Sequence, residues 1–459
     1  MASKKDLVEA HAFNRRRLVS AFLSGAPGGR EVEPVRYGRT LVGGLVLAVL
    51  IVVGAAVAPL LRPSIPDDWY ADDGIVVGKS SGARFLALDG NLHPLLNIAS
   101  GRLLLQGEDE VRSIPDDLIA ERPIAFTVGI VGGPEFLPEP TALTNSGWSA
   151  CTGVDQGITV RIARRPGAAA LTAQALLVQT GADDERVERV IVDGLQFPLP
   201  SDERTRDGVL RALQLAGDEP LEVPAPWLDL MRTGDPLTPF SVPGAGDPAQ
   251  QSVGDLDTVG MAILVEDVPY ILTEGGLEQV SAFAYELYTS TGTGALLSSS
   301  LGDSAFTSAE IADLQNSSED VLDVPTSWPT AASSPFDRSI EPCLLMTTAP
   351  KTAPTISLGE PVVDEARAVG STYTQIVQPG SGAVVRADDG ATIGNGLVYL
   401  IDSTGTAYAV GSPGFTESPL TSLGYDVDDD VAPVYAPWVR LFNEGPDLTS
   451  ADAGTPAGS

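Results

Sequence analysis

Residues 223–238 read VPAPWLDLMRTGDPLT, and residues 434–449 read VYAPWVRLFNEGPDLT. At an offset of 211 the pairs Ala225/Ala436, Pro226/Pro437, Trp227/Trp438, Leu230/Leu441, Gly234/Gly445 and Leu237/Leu448 coincide. Agreement of that density marks a duplicated structural unit. Proline at the head of the pattern and glycine at its foot predict a capped helix of two or three turns. Trp227 and Trp438 are read as core anchors of the unit, because a large aromatic in an apolar pattern dominates the area a core buries.

Upstream of each copy lies a strand, turn, strand pattern. It reads RVIVDGLQFPL at 189–199, RFLALDGNLHPL at 84–95 and LVYLIDSTGTAYAV at 397–410, with a looser form, YILTEGGLEQV, at 270–280. Asp-Gly supplies the two left-handed positions that a two-residue hairpin requires. The unit is therefore a hairpin followed by one or two short helices, present about four times. The two strong copies are separated by the stretch that reaches Cys343, which predicts an elongated body with a central domain and not a simple solenoid. Turn-rich joins at 238–253, 324–342 and 347–358 separate the units.

Nearer the N-terminus, Leu41 to Leu61 reads LVGGLVLAVLIVVGAAVAPLL without a charge. As a helix it reaches about 31 Å, close to the thickness of a hydrocarbon core. Arg36 and Arg39 flank its start and Arg62 its end. The basic excess on the N-terminal side predicts a cytoplasmic tail and an extracytoplasmic body, with Trp69 and Tyr70 as an interfacial pair. The A-x-A pattern at Ala56–Ala58 belongs to no ordinary signal peptide, since the apolar run is too long and starts too far in. Residues 3–23 are expected to form a cytoplasmic helix, opened by a Ser3/Asp6 capping box. Its Leu7, Leu18 and Phe22 share a stripe with His11.

The predicted fold class is α/β (α+β) repeats: one N-terminal transmembrane helix and an elongated extracytoplasmic body of hairpin-helix repeats flanking a central mixed domain. The expected boundaries are a basic tail over 1–40, the membrane helix over 41–61 and a first repeat region over 62–150. A second repeat region follows over 151–254, then a central domain with a weak repeat over 255–380, a C-terminal repeat over 381–452 and a disordered tail over 453–459.

Charge follows the same division. The chain carries 28 Lys+Arg against 61 Asp+Glu, a net of −33. Residues 1–40 hold eight basic against four acidic residues, so the remainder holds 20 against 57, a net of −37. A body this acidic repels phosphate backbones and excludes nucleic acid as a partner. The basic tail suits a lipid bilayer surface or a membrane partner. Cys151 and Cys343 are the only cysteines, and the topology places both where disulfides persist. A bridge would close a loop of about 190 residues, for which chain entropy assigns roughly 5 kcal/mol.

Residues 74–80, GIVVGKS, approach the G-x-x-x-x-G-K-[ST] phosphate loop, with Gly74, Gly78, Lys79 and Ser80 as its candidates. The spacer is one residue short, and Asp73 stands where glycine should. The plainer reading is a strand and turn of the first repeat. No G-x-S-x-G or H-E-x-x-H occurs. His93, the one histidine outside the tail, occupies the position of Phe197 in the second copy and is expected to pack. Asp426, Asp428, Asp429 and Asp430 lack the glycine and terminal glutamate of a calcium loop. No catalytic residue, metal ligand or cofactor is assigned.

Several stretches together resemble the EccB family, the membrane component of actinobacterial type VII (WXG100/ESX) secretion systems. They are Arg84–Leu105, with Asp89-Gly90, His93-Pro94, Asn97 and Arg102–Leu105; Gly129–Cys151, with Leu137-Pro138 and Trp148–Cys151; and QPGSGAVV at 378–385. Gly133-Pro134-Glu135 departs from that family's G-A-P. The resemblance implies a single-pass inner-membrane subunit and a disulfide matching Cys151–Cys343. As partners it implies an EccC-type FtsK/SpoIIIE ATPase, EccD-like and EccE-like subunits, and further copies of the chain itself. Some members carry an ATPase label, so one alternative to a structural subunit is an extracytoplasmic nucleotide hydrolase; repeated small α/β units, which suit polymers, leave a cell-wall-binding module as another.

Overall fold

The computed structural model describes residues 3–24, 37–57, 68–106, 110–153, 157–181, 186–299, 306–314, 321–330, 333–363, 372–389, 394–411 and 418–457. It divides into two units, Met1–Trp69 and Tyr70–Ser459.

The first unit holds two helices of 21 residues, Lys4–Ser24 and Tyr37–Val57. The first is opened by the expected reciprocal cap: Ser3 N–H donates to the Asp6 carboxylate at 3.0 Å, and Asp6 N–H to Ser3 Oγ at 3.4 Å. The second covers the start of the uncharged run. Among the described residues no helix is long and apolar enough to cross a membrane. The described uncharged stretch, Leu41–Val57, falls short of the roughly 20 residues a span requires. Ala58–Leu61, which would complete the predicted helix, and Arg62 lie outside the described residues.

The second unit is built from sheets with helices against them. In the first sheet the order is Asn91–Pro94, Arg84–Leu88, Gly74–Gly78, Val111–Ile114. In the second it is Leu221–Glu222, Gln174–Thr180, Val187–Val192, Leu195–Pro198, Arg232–Thr233. In the C-terminal sheet it is Ala432–Tyr435, Ala383–Asp388, Leu397–Ile401, Thr406–Val410, Asn443–Glu444. All three share one path. Three strands form successive antiparallel hairpins, a helix follows, and the chain returns to lay a parallel strand beside the first. A smaller sheet, Ala262–Val265, Val268–Thr273 and Gly276–Gln279, is followed by the helix Ala282–Ser290. Its first strand meets Phe306 in a parallel bridge.

Local chemistry sets these elements. Asp89-Gly90 and Asp193-Gly194 both have positive φ (50° and 74°, 51° and 76°), the pair that a tight hairpin demands. The helices that follow are capped by Asn97, Asp202 and Ser281, whose side chains accept the N–H of Ser100, Thr205 and Ala284.

Two boundaries differ from the sequence reading. The central sheet runs Tyr373–Val377, Ile158–Ile162, Trp148–Cys151, Cys343–Ala349, Thr352–Pro361, Ala168–Ala170. It therefore draws on 148–170 and 343–377 and does not fill a continuous 255–380 block. The second and third sheets are inserted between its halves. Strand pairing joins segments distant along the chain, and composition alone does not register that. The C-terminus differs too. Ser450–Gly454 is a helix capped by Thr449, Ala453 is fully buried, and Ala457 N–H donates to Thr127 O at 3.0 Å. Small residues there allow close approach to the helix Ile98–Leu105, so the 453–459 tail is ordered as far as Ala457. Gly458 and Ser459 lie outside the described residues.

Three cores join the sheets. One gathers Trp148 and Val160 of the central sheet with Leu176 and Trp227 of the second and Val385 and Trp438 of the C-terminal one. Another packs Val209 and Leu213 on Phe283 and Leu287, joining the second and third sheets through their helices. The third packs Ala99 and Leu103 on Leu420, Leu423 and Leu448, joining the first and C-terminal sheets. Each such large side chain contributes about 1.5–3 kcal/mol on burial.

Candidate functional site

Gly74–Gly78 is a strand, and the candidate phosphate loop leads from it into the antiparallel strand Arg84–Leu88, where a nucleotide loop would open a helix. Its donors already have partners. Gly78 N–H donates to Ala83 O and Lys79 N–H to Ile114 O, each at 2.8 Å. Ser80 N–H donates to the Asp116 carboxylate at 2.8 Å and Ser81 N–H at 3.4 Å. The Ser81 hydroxyl donates to the same group. These bonds, the hydroxyl's first and the Ser80 amide's next, hold the Asp116 carboxyl below the usual carboxylate range. A carboxylate thus sits where a phosphate would have to enter, beside Asp117. Gly74, Gly78, Lys79 and Ser80 do not fit a triphosphate. Asp73 serves the hairpin, its carboxylate accepting Asp89 N–H at 3.0 Å.

Cys151 and Cys343 are directly opposed on adjacent central strands and form the disulfide, with Cα atoms 4.0 Å apart. The bridge ties the two halves of the central sheet across 192 residues. Both cysteines are buried.

The two similar tryptophan motifs hold a correction. Ala225–Leu228 is a single turn and Ala436–Leu441 a 3-10 segment, followed by the short strands Arg232–Thr233 and Asn443–Glu444. Gly234 and Gly445 therefore cap no helix. A Cβ on Gly234 would stand 2.1 Å from the Phe197 ring, and one on Gly445 would stand 2.4 Å from the Tyr408 ring. Phe197 and Tyr408 are themselves 211 apart, so the glycine is required for a strand to cross an aromatic of the hairpin. Trp227 and Trp438 are fully buried. Trp227 Nε1–H donates to Ala150 O at 2.9 Å, and Trp438 Nε1–H to Leu230 O at 3.0 Å. One motif copy thus bonds the central sheet and the other bonds its own duplicate.

Two anchors escaped the sequence reading. Trp148 is fully buried and donates to Thr144 O at 3.0 Å. Trp328 donates to Pro236 O at 3.2 Å in the core between the second and third sheets. Val324-Pro325-Thr326-Ser327-Trp328 repeats the V-P-x-x-W of Val223–Trp227, a signal that could have found it. His93 packs as expected, its ring 4.7 Å from Phe126 and Nδ1 3.0 Å from Phe126 O. Tyr70, read with Trp69 as an interfacial pair, lies under the Arg122 guanidinium at 3.8 Å. In the acidic loop, Asp426 accepts the N–H groups of Asp428 and Asp429, Asp430 accepts Asp426 N–H, and Asp428 pairs with Lys351 at 3.0 Å. The Asp426 and Asp430 carboxylates cap their own turn. Among the described residues no group of three or more His, Cys, Asp or Glu could hold a metal ion.

These features define a class: a sheet-rich α/β scaffold, braced by one disulfide, whose singled-out aromatics and glycines serve contacts between sheets. Residues 1–457 match the family described as "Type VII secretion system ESX-1, transport TM domain B", and the chain belongs to this EccB family. The relative "ESX-3 secretion system ATPase EccB3" of Mycolicibacterium smegmatis is 27% identical over 268 residues, 54% of this chain and 50% of the relative. The "ESX-2 secretion system ATPase EccB2" of Mycobacterium tuberculosis is 26% identical over 306 residues, 63% of this chain and 59% of the relative. The chain thus spans about half the length of the curated relatives it matches. In fold it is similar to a solved EccB3 dimer from the ESX-3 core complex (TM-score 0.61, 21% identity, 83% of this chain, 100% of that one). It is also similar to a chain of an intact ESX-5 inner membrane complex (TM-score 0.58, 19% identity, 100% of this chain, 96% of that one).

Proposed function

We propose that this chain is a structural, membrane-anchored subunit of a type VII protein secretion complex, supporting assembly of the export machine for WXG100-type substrates. The observation that carries this reading is the family match over residues 1–457, which runs through tail, apolar helix and body. On this reading Leu41–Leu61 spans the membrane once. The tail is cytoplasmic, and the body lies outside, in a periplasm-like space. The uncharged run within the helix Tyr37–Val57 and the basic excess of residues 1–40 support that orientation. The body is four copies of one hairpin-helix unit around a central sheet, a reading supported by the strand order three of the sheets have in common. The partners are an EccC-type FtsK/SpoIIIE ATPase, EccD-like and EccE-like subunits, and further copies of this chain. The similar ESX-3 and ESX-5 assemblies support a multi-subunit setting. Detergent-solubilised native complex should retain EccC- and EccD-like chains. A chain migrating alone would overturn the proposal.

A second reading, a nucleotide hydrolase, is favoured by the ATPase in the relatives' names and opposed by Asp116 in the Gly74–Ser80 turn. Lys79→Ala is expected to leave any ATP turnover of the purified chain unchanged. Loss of turnover on that substitution would restore the hydrolase reading.

A further inference from the structure

The strand Val111–Ile114 forms one edge of the first sheet, parallel to Gly74–Gly78. Ile75 N–H bonds to Glu110 O and Lys79 N–H to Ile114 O. In a parallel ladder this turns the peptide groups of residues 110, 112 and 114 inward and those of Val111 and Ser113 outward. Among the described residues no hydrogen bond uses these outward N–H and C=O groups. The face that carries these two residues is open to solvent as well: Val111 is 56% exposed and Ser113 is exposed.

The corresponding strands elsewhere are treated differently. In the C-terminal sheet Pro433 has no N–H, and its carbonyl accepts Thr348 Oγ1–H at 2.6 Å. In the second sheet the strand is only Leu221–Glu222. Natural edges that stay in water are usually blunted by a projecting charge, a proline or a bulge. Here the one charge in the strand is drawn away: Arg112 donates to Asp72 O and Asp73 O at 3.2 and 2.9 Å, and its Nε lies 3.5 Å from Glu110. At the carboxyl end of the edge an open groove of about 460 Å³ is lined by Lys79, Ser80, Ser81, Pro115, Asp116 and Asp117.

We propose that the Val111–Ile114 edge is a strand-addition site for an extended polypeptide segment of another protein, carrying Lys or Arg at the position that reaches Asp117. The outward peptide groups supply the backbone pairing. The exposed carboxylate of Asp117 at the carboxyl end selects a cationic residue there. A second copy of this chain fits poorly. Two-fold antiparallel pairing of Val111 with Ser113 sets Arg112 opposite Arg112 and brings two acidic rims together, both unfavourable.

The test uses the full-length chain in detergent and two synthetic eight-residue peptides of alternating Val and Thr, one with Lys at both ends and one with Glu. Amide hydrogen exchange at Val111 and Ser113 is the readout. The Lys peptide should slow both amides by about tenfold at low salt, less at high salt. Asp117→Lys should weaken the effect, and Val111→Pro should abolish it by removing an N–H the sheet does not use. Three results would overturn the proposal: no change in exchange with the Lys peptide, equal protection by the Glu peptide, or protection that rises with chain concentration in the absence of peptide.

Discussion

Asp89-Gly90 and Asp193-Gly194 turn their hairpins with the same left-handed pair, yet their surroundings differ. A Cβ on Gly90 would meet nothing within 4 Å, whereas one on Gly194 would stand 1.8 Å from the Ile356 carbonyl oxygen. Gly90→Ala should cost about 1–2 kcal/mol, the left-handed penalty alone. Gly194→Ala should cost about 2 kcal/mol more, since backbone must move as well. Urea denaturation of the two variants measures the difference directly. Trp438→Phe keeps most of the buried area but leaves the Leu230 carbonyl without its donor, so about 1–3 kcal/mol of stability should go. Tyr408 and Tyr288 supply a pH prediction. Burial, joined at Tyr408 by the charge of Asp402, pushes both phenols up to about 12. The unfolded chain releases these protons near pH 10. Between pH 10 and about 12 the folded state therefore binds more protons than the unfolded one, and stability falls as pH rises through that window. Urea midpoints at pH 9, 10 and 11 should decline in that order.

At the scale of elements the disulfide and the central sheet belong together. Because Cys151 and Cys343 sit opposite each other on paired strands, the bridge holds together a sheet whose halves are separated by three inserted sheets, the two-stranded Pro248–Val253/Leu256–Thr258 pair among them. Replacing both cysteines by serine should lower stability by up to about 5 kcal/mol and steepen the denaturant slope, because the freed unfolded chain exposes more surface. A comparison of urea curves for the oxidised protein and this variant reads it. The likeness of the two tryptophan motifs was legible in the sequence, and both tryptophans are fully buried. The conformation of the motifs was not legible there. Pro226 and Pro437 invite a helix, but Gly234 and Gly445 are fixed by the rings of Phe197 and Tyr408, residues 37 positions upstream in each copy. A local pattern carries no information about an aromatic that arrives from another strand.

For the whole molecule the decisive quantity is charge. The body beyond residue 40 carries a formal net of −37, so self-repulsion opposes its compact state. Its thermal midpoint should rise as NaCl is raised from about 10 mM to 150 mM, where the Debye length falls from about 30 Å to 8 Å. A calorimetric scan series would show it, and a flat response would mean the acidic groups are locally compensated. The same charge bears on partners, favouring cationic segments over acidic ones at any exposed edge.

The sequence by itself determined the hairpins, their Asp-Gly turns, the likeness of the two tryptophan motifs, the uncharged run near the N-terminus and the sign of each part of the chain. These are properties of residues close together, where dihedral preference and periodicity act. Only the tertiary structure decided that the central sheet is assembled from two distant segments, that Asp116 stands in the turn that imitates a phosphate loop, and that Ser450–Gly454 is a packed helix. Each of those depends on which distant groups meet, and hydrogen bonds and burial between elements are set by the closed fold, not by the local order of residues.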